Sequence, residues 1–121
     1  MAKILIVDDD TMISGLLEQI IAMDGHHATV INDSLRGVEA AKSVNPDLIT
    51  LDLMMPGLTG FQLCELLRAD PKFASTPIVI ISAREDAESK DKARQTGAND
   101  YITKPFDIDM LLKKIKILTA A

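Results

Sequence analysis

Apolar residues recur along this chain in two alternating rhythms. Short continuous runs at Lys3–Val7, Leu48–Leu51 and Ile78–Ile81 are separated by longer stretches in which apolar positions return every three or four residues. Continuous runs of this length mark strands covered on both faces, because each side of the pleat meets apolar packing. Ala28–Ile31 and Tyr101–Thr103 complete the expected set of strands.

The intervening stretches carry helical spacing. Ile13, Leu16, Leu17, Ile20 and Ile21 form one stripe over Thr11–Met23, with Asp10 as its expected cap and Gly25 as its stop. Ser34 is expected to cap a second helix, with Leu35, Val38 and Ala41 facing inward. Phe61, Cys64 and Leu67 serve a third. Asp107 is expected to cap the last, whose inner face is Leu111, Leu112, Ile115 and Leu118, leaving Lys113, Lys114 and Lys116 toward water. The fourth helix differs: "EDAESKDKARQTG" offers only Ala87 and Ala93 as apolar residues. So little buried surface holds a helix weakly and makes it a candidate for motion. Strict alternation of strand and helix predicts an α/β sandwich with a parallel sheet and right-handed crossovers.

Bulk properties narrow the possibilities. A chain of 121 residues fits one domain and needs no disulfide or structural metal to fold. It stops just after the fifth helix, compatible with a complete single-domain protein or with a domain cut from a longer one. The single cysteine, Cys64, is expected to be a small core residue. No segment has the length of a signal-peptide core or a membrane span, so a cytoplasmic location is expected. The net charge of −5 and the scarcity of aromatics argue against direct nucleic-acid binding, which draws on Lys, Arg and stacking rings.

The chemistry collects at the expected strand ends. In an open parallel sheet, ligands bind outside the carboxyl ends of the strands, where strand order reverses. The first strand ends in Asp8, Asp9 and Asp10, the third in Asp52, the fourth in Ser82 and the fifth in Lys104. Two carboxylates about 4 Å apart repel by roughly 4 kcal/mol at an effective dielectric of about 20, so a cation is expected among them. Mg2+ suits such a set, being a hard ion held by few carboxylates together with phosphate oxygens. Asp52, inside the apolar run "LITLDLMM", is then a candidate nucleophile toward phosphorus. Lys104 and the Ser82 hydroxyl can stabilise the transferring group. "MPGLTG" gives the loop after Asp52 a turn at Pro56–Gly57 and a close approach at Gly60.

"ILIVDDD", "PDLITLDLMMPGLTG", "TPIVIISAR" and "GANDYITKPF" together resemble the receiver domain of two-component response regulators over essentially the whole chain. The resemblance implies a flavodoxin-like three-layer sandwich, a five-stranded parallel sheet of order 2-1-3-4-5 with five helices. It implies Asp52 as phosphoacceptor. Mg2+, or Mn2+ in its place, would be held by Asp8, Asp9, Asp52 and the backbone carbonyl of Met54. Ser82 and Tyr101 match the switch residues, and Lys104 matches the phosphate-facing lysine, with a cis bond to Pro105. Met54 and Arg84 stand where side chains tune phosphoryl lifetime, and this pair predicts dephosphorylation that is not unusually fast; an unchanged half-life in Met54→Asn with Arg84→Glu would contradict it.

The implied partners are a sensor histidine kinase or histidine phosphotransfer protein, and a downstream effector or output domain. The implied switch is repacking of the fourth helix, fifth strand and fifth helix, with a phosphorylation-dependent homodimer as one form of output. Such a domain catalyses only its own phosphorylation and dephosphorylation. "IDMLLKKIKIL" lacks the Arg-rich final helix typical of winged-helix regulators, so a stand-alone domain or another effector fits as well. Three alternatives compete. A haloacid-dehalogenase-type phosphatase would need Thr or Val where Met12 stands, an FMN-binding flavodoxin would be repelled by three aspartates, and a receiver-like interaction module would act without phosphorylation.

Overall fold

The computed structural model describes residues 2–120. Its elements alternate in chain order: β1 (Lys3–Val7), α1 (Thr11–Met23), β2 (His27–Ile31), α2 (Gly37–Val44), β3 (Leu48–Leu51), α3 (Gly60–Ala69), β4 (Ile78–Ser82), α4 (Ala87–Gln95), β5 (Asp100–Thr103) and α5 (Ile108–Thr119). The strands form one parallel sheet in the order β2-β1-β3-β4-β5. The chain lays β2 on one side of β1 and then crosses to lay β3 on the other. The switch point of the sheet therefore lies between β1 and β3, the strands that end in Asp8 and Asp52.

The pleat divides the core into two halves. Leu5, Val7, Ile49, Leu51, Ile78 and Ile80 face α2, α3 and α4, where they meet Ala41, Leu63, Leu67 and Ala93. Ile4, Ile6, Leu48, Val79, Ile81 and Ile102 face α1 and α5, meeting Leu17, Ile21, Leu111 and Ile115. The central strands are apolar on both faces for this reason, as the continuous runs predicted. Cys64 is fully buried in the first half. Burial pushes its thiol pKa up, in keeping with an inert core role.

Several helix ends follow the local signals. Asp10 accepts from the amides of Met12 and Ile13 at the start of α1, and Asp107 accepts from those of Asp109 and Met110 at the start of α5. Other expectations fail at named positions. Ser34 does not cap α2; it opens a short 3-10 turn, Ser34–Arg36, that Asp33 caps, and α2 begins only at Gly37. Leu35 is exposed in consequence, because the tighter 3-10 turn rotates it away from the sheet. On α1 the buried line is Ser14, Leu17 and Ile21, which leaves Leu16 on the exposed shoulder. Lys114 is not simply solvated: its ammonium meets the Asp100 carboxylate at 2.7 Å, tying α5 to β5.

α4 buries still less apolar surface than expected. Ala87 is exposed, and Ala93 is the helix's one buried apolar residue. Its C-terminal end is nevertheless anchored. Arg68 of α3 donates to the carbonyls of Phe73 and Thr76, both at 2.6 Å, and of Gly97 at 3.0 Å, and to the Asn99 side chain at 2.8 Å. Its N-terminal end rests on Asp86, which accepts from the amide and hydroxyl of Ser89. Those bonds hold the Asp86 carboxyl well below the usual range, at about 2.

Candidate functional site

Four strands deliver the site from the C-terminal edge of the sheet. Asp8 continues β1, its amide donating to Ile31 of β2 at 3.1 Å. Asp52 continues β3, its amide donating to Val7 of β1 at 3.0 Å. Ser82 is the last residue of β4, and the Lys104 amide donates to its carbonyl at 2.7 Å. Parallel register thus sets Asp8 beside Asp52, and Ser82 beside the start of the Lys104 segment.

The side chains converge. Carboxylate oxygens of Asp8, Asp9 and Asp52 lie within 4.8 Å of one another. Asp8 is 2% exposed and Asp52 8%, whereas Asp9 is open to solvent. The Lys104 ammonium reaches down to 3.0 Å from Asp8 and 3.7 Å from Asp52. One cation therefore faces three carboxylates. Burial first, and then the neighbouring Asp8, raises the Asp52 pKa to about 6, against the opposing pull of Lys104 and of the Met54 amide. A set of hard oxygen donors with excess negative charge fits a hard divalent cation.

The loops around the site are shaped for close approach. Gly57 has φ of 85° after Pro56, the residue order of a type II turn. Gly60 packs against the backbone of Asp52 and Leu53; a Cβ there would strike the Asp52 carbonyl oxygen and lie 2.9 Å from the Leu53 Cα. Gly60→Ala is therefore expected to lower stability by about 2 kcal/mol, since neither backbone can yield without moving Asp52. Urea unfolding measures this; a midpoint equal to the wild type would contradict it.

Other residues singled out in the sequence take these places. The Lys104–Pro105 peptide is cis. Met54 and Arg84 are exposed at the rim, Arg84 paired to Asp86 at 3.2 Å. The Ser82 hydroxyl is fully buried and accepts from the Arg84 amide at 3.2 Å. Tyr101 is half-buried, and its hydroxyl donates to the Arg84 carbonyl at 2.6 Å. Burial raises its phenol pKa. Asn32 and Ser34 also touch the site loops, although strand-end reasoning did not include them. β2 ends at the same edge of the sheet, and that is the signal by which Asn32 could have been found.

Comparison with known proteins agrees with this geometry. Residues 4–116 match the family model of the response regulator receiver domain. The chain is 38% identical over 118 residues to the DNA-binding dual master transcriptional regulator RpaA of Synechocystis sp., covering 98% of this chain and 49% of that protein. It is 36% identical over 114 residues to the DNA-binding response regulator MtrA of Mycobacterium tuberculosis, covering 94% of this chain and 49% of that protein. The chain thus spans about half the length of these curated relatives. Among solved structures, the chemotaxis protein CheY4 of Vibrio cholerae superposes with a TM-score of 0.92 at 28% identity, covering 98% of each chain. The receiver domain of the Francisella response regulator 1452 superposes with a TM-score of 0.91 at 34% identity, covering 98% of this chain and 97% of that one.

This chain belongs to the response regulator receiver domain family, and its five-stranded parallel sheet is that of the chemotaxis-Y-like receivers. It is therefore a receiver domain of two-component signal transduction. No helix among the described residues is long and apolar enough to cross a membrane.

Proposed function

We propose that the domain is switched by transfer of a phosphoryl group to Asp52 from a histidine kinase, a histidine phosphotransfer protein or a small phosphodonor. The observation that carries this reading is the trio of carboxylates within 4.8 Å at the β1/β3 switch point, with Lys104 reaching two of them. Mg2+, with Mn2+ as a substitute, would be held by Asp8, Asp9, Asp52 and the Met54 carbonyl. When bound, it supplies positive charge for the phosphoryl oxygens and relieves the repulsion among the carboxylates.

The remaining work falls to the chain. A carboxylate oxygen of Asp52 attacks phosphorus, the bond from phosphorus to the donor histidine nitrogen breaks, and that nitrogen departs with the electron pair and takes up a proton. Lys104 holds its charge against the equatorial oxygens. The Ser82 hydroxyl, which now accepts from the Arg84 amide, turns to donate to the phosphoryl group. That movement draws on the segment to which Tyr101 is also bonded. α4, with Ala93 as its one buried apolar residue, resists the shift weakly. Met54 and Arg84 stand at the rim and set how long the phosphoryl group lasts. The reaction is the domain's own phosphorylation and dephosphorylation, in the cytoplasm, with no external ester turned over.

The signal then passes through α4, β5 and α5 to an effector, an output domain or a second copy of the chain. The acidic balance of this domain supports the reading that any DNA contact is made by another domain. The named DNA-binding relatives favour a transcriptional output of that kind.

Intact mass after incubation with Mg2+ and acetyl phosphate tests the transfer step. One phosphoryl group is expected in the wild type, and none in Asp52→Asn or without Mg2+. A wild type left unmodified both by acetyl phosphate and by a phosphorylated histidine phosphotransfer protein, or a modified Asp52→Asn, would overturn the reading.

A further inference from the structure

The loop between β2 and α2 bonds to both loops that carry the carboxylates. Directly after β2, the Asn32 side-chain amide donates to the Asp8 carbonyl at 2.7 Å and to the buried Ser14 hydroxyl at 3.0 Å. Two residues on, the fully buried Ser34 hydroxyl donates to the Pro56 carbonyl at 2.6 Å and accepts from the Leu58 amide at 2.9 Å. One arm therefore holds the loop of Asp8 and Asp9; the other holds the loop that follows Asp52 and Met54. The fit at the second arm is tight: a Cβ at Gly57 would lie 3.0 Å from the Ser34 hydroxyl oxygen.

These arms bear on the chemistry of the site. Like charges crowded within 4.8 Å push their loops apart, and the two loops belong to different strands. The connections that oppose that spreading come in part from β2–α2, which carries no site carboxylate. We infer that Asn32 and Ser34 are positioning residues: a two-armed clasp that sets the separation of the Asp8–Asp9 and Asp52 loops and thereby the affinity of the site for a divalent cation. The inference rests on the metal reading given above. Groups that orient metal-binding loops without touching the ion commonly change affinity about tenfold or more when lost.

Isothermal titration with MgCl2 on the whole chain tests the clasp, using Asn32→Ala, Asn32→Leu, Ser34→Ala and a control, Leu118→Ala, at the far end of α5. Asn32→Leu keeps roughly the shape of the side chain, adds no charge beside the carboxylates and loses both N–H donors. The expected result is a Kd for Mg2+ weakened about tenfold in all three clasp variants and unchanged in the control, with each variant folded by circular dichroism. A merely structural role would lower the urea midpoint and leave the Kd alone. Clasp variants that bind Mg2+ within about twofold of the wild type overturn the inference while the metal reading stands. A wild type that binds no Mg2+ overturns both. If Ser34→Ala fails to fold, the two Asn32 variants decide.

Discussion

Asp52→Asn is expected to raise the stability of the Mg2+-free protein at pH 7 by about 2 kcal/mol, and the gain is expected to vanish near pH 4. The Asp52 carboxyl titrates near 6 in the folded protein against 3.8 in its absence, with burial and then Asp8 as the main causes. Between those values the native chain holds a proton that the unfolded chain has released. Wild-type stability therefore falls as the pH rises through this window, and the loss is complete above about 6. Below 3.8 both states are protonated and the difference disappears. The shift corresponds to roughly 3 kcal/mol at most, and residual charge interactions in the unfolded chain trim it. Urea midpoints in EDTA at several pH values measure the effect. A variant no more stable than the wild type at pH 7, or a gain that persists at pH 4, would sink it. On the proposed metal reading, added Mg2+ should reverse the order, because an ion held by the complete carboxylate set would stabilise the folded wild type.

Lys104→Met should do the opposite. The Lys104 side chain is 16% exposed, and its ammonium lies 3.0 Å from an Asp8 side chain that is 3% exposed. It also lies 3.7 Å from Asp52. Removing it leaves the carboxylates facing one another with no cation, and breaking a buried pair from one side costs about 3 kcal/mol or more. Met preserves most of the length and packing of the stem, so the loss reports the charge. The Asp52 carboxyl, no longer lowered by Lys104, rises further and limits the damage by taking up a proton. The expected outcome at pH 7 in EDTA is a loss of about 3 kcal/mol, a large part of it recovered on adding Mg2+. Unfolding at the wild-type urea midpoint in EDTA, or a deficit that Mg2+ does not touch, would show that the pairs contribute little.

These two substitutions probe a contest that is partly visible in the linear chain. The run of Asp8, Asp9 and Asp10 already signals an unmet positive charge, and Asp52 inside an apolar run signals a buried carboxylate. Asp10 turned out to be the helix cap, because its position relative to the first turn of α1 is a local matter. The close approach at Gly60 was legible as well, since a Gly between a turn and a helix start invites it.

The misses share a cause. Ser34 looks like a helix cap by residue type, and the preference of Ser for caps is a preference for any nearby orphan amide. Here the amide it meets belongs to Leu58, in another loop. Lys114 lies in a run of lysines that suggests a solvated face, and nothing nearby in sequence points to Asp100. Arg68 was not singled out at all, because three of its partners are backbone carbonyls, which have no sequence signature.

The sequence by itself determined the alternation of strands and helices, the double-sided burial of the central strands, most caps and the chemistry ending each strand. Those features depend on periods of two and 3.6 residues and on contacts within one turn, so they are written locally. Its motifs also carried the resemblance from which the strand order followed. Only the tertiary structure decided the distances: Lys104 between Asp8 and Asp52, Ser82 bonded to Arg84, and Asn32 and Ser34 across the two acidic loops. Those contacts join residues from different strands and loops. They exist because parallel register brings the strand ends to one edge, and no local preference encodes how closely the side chains then meet.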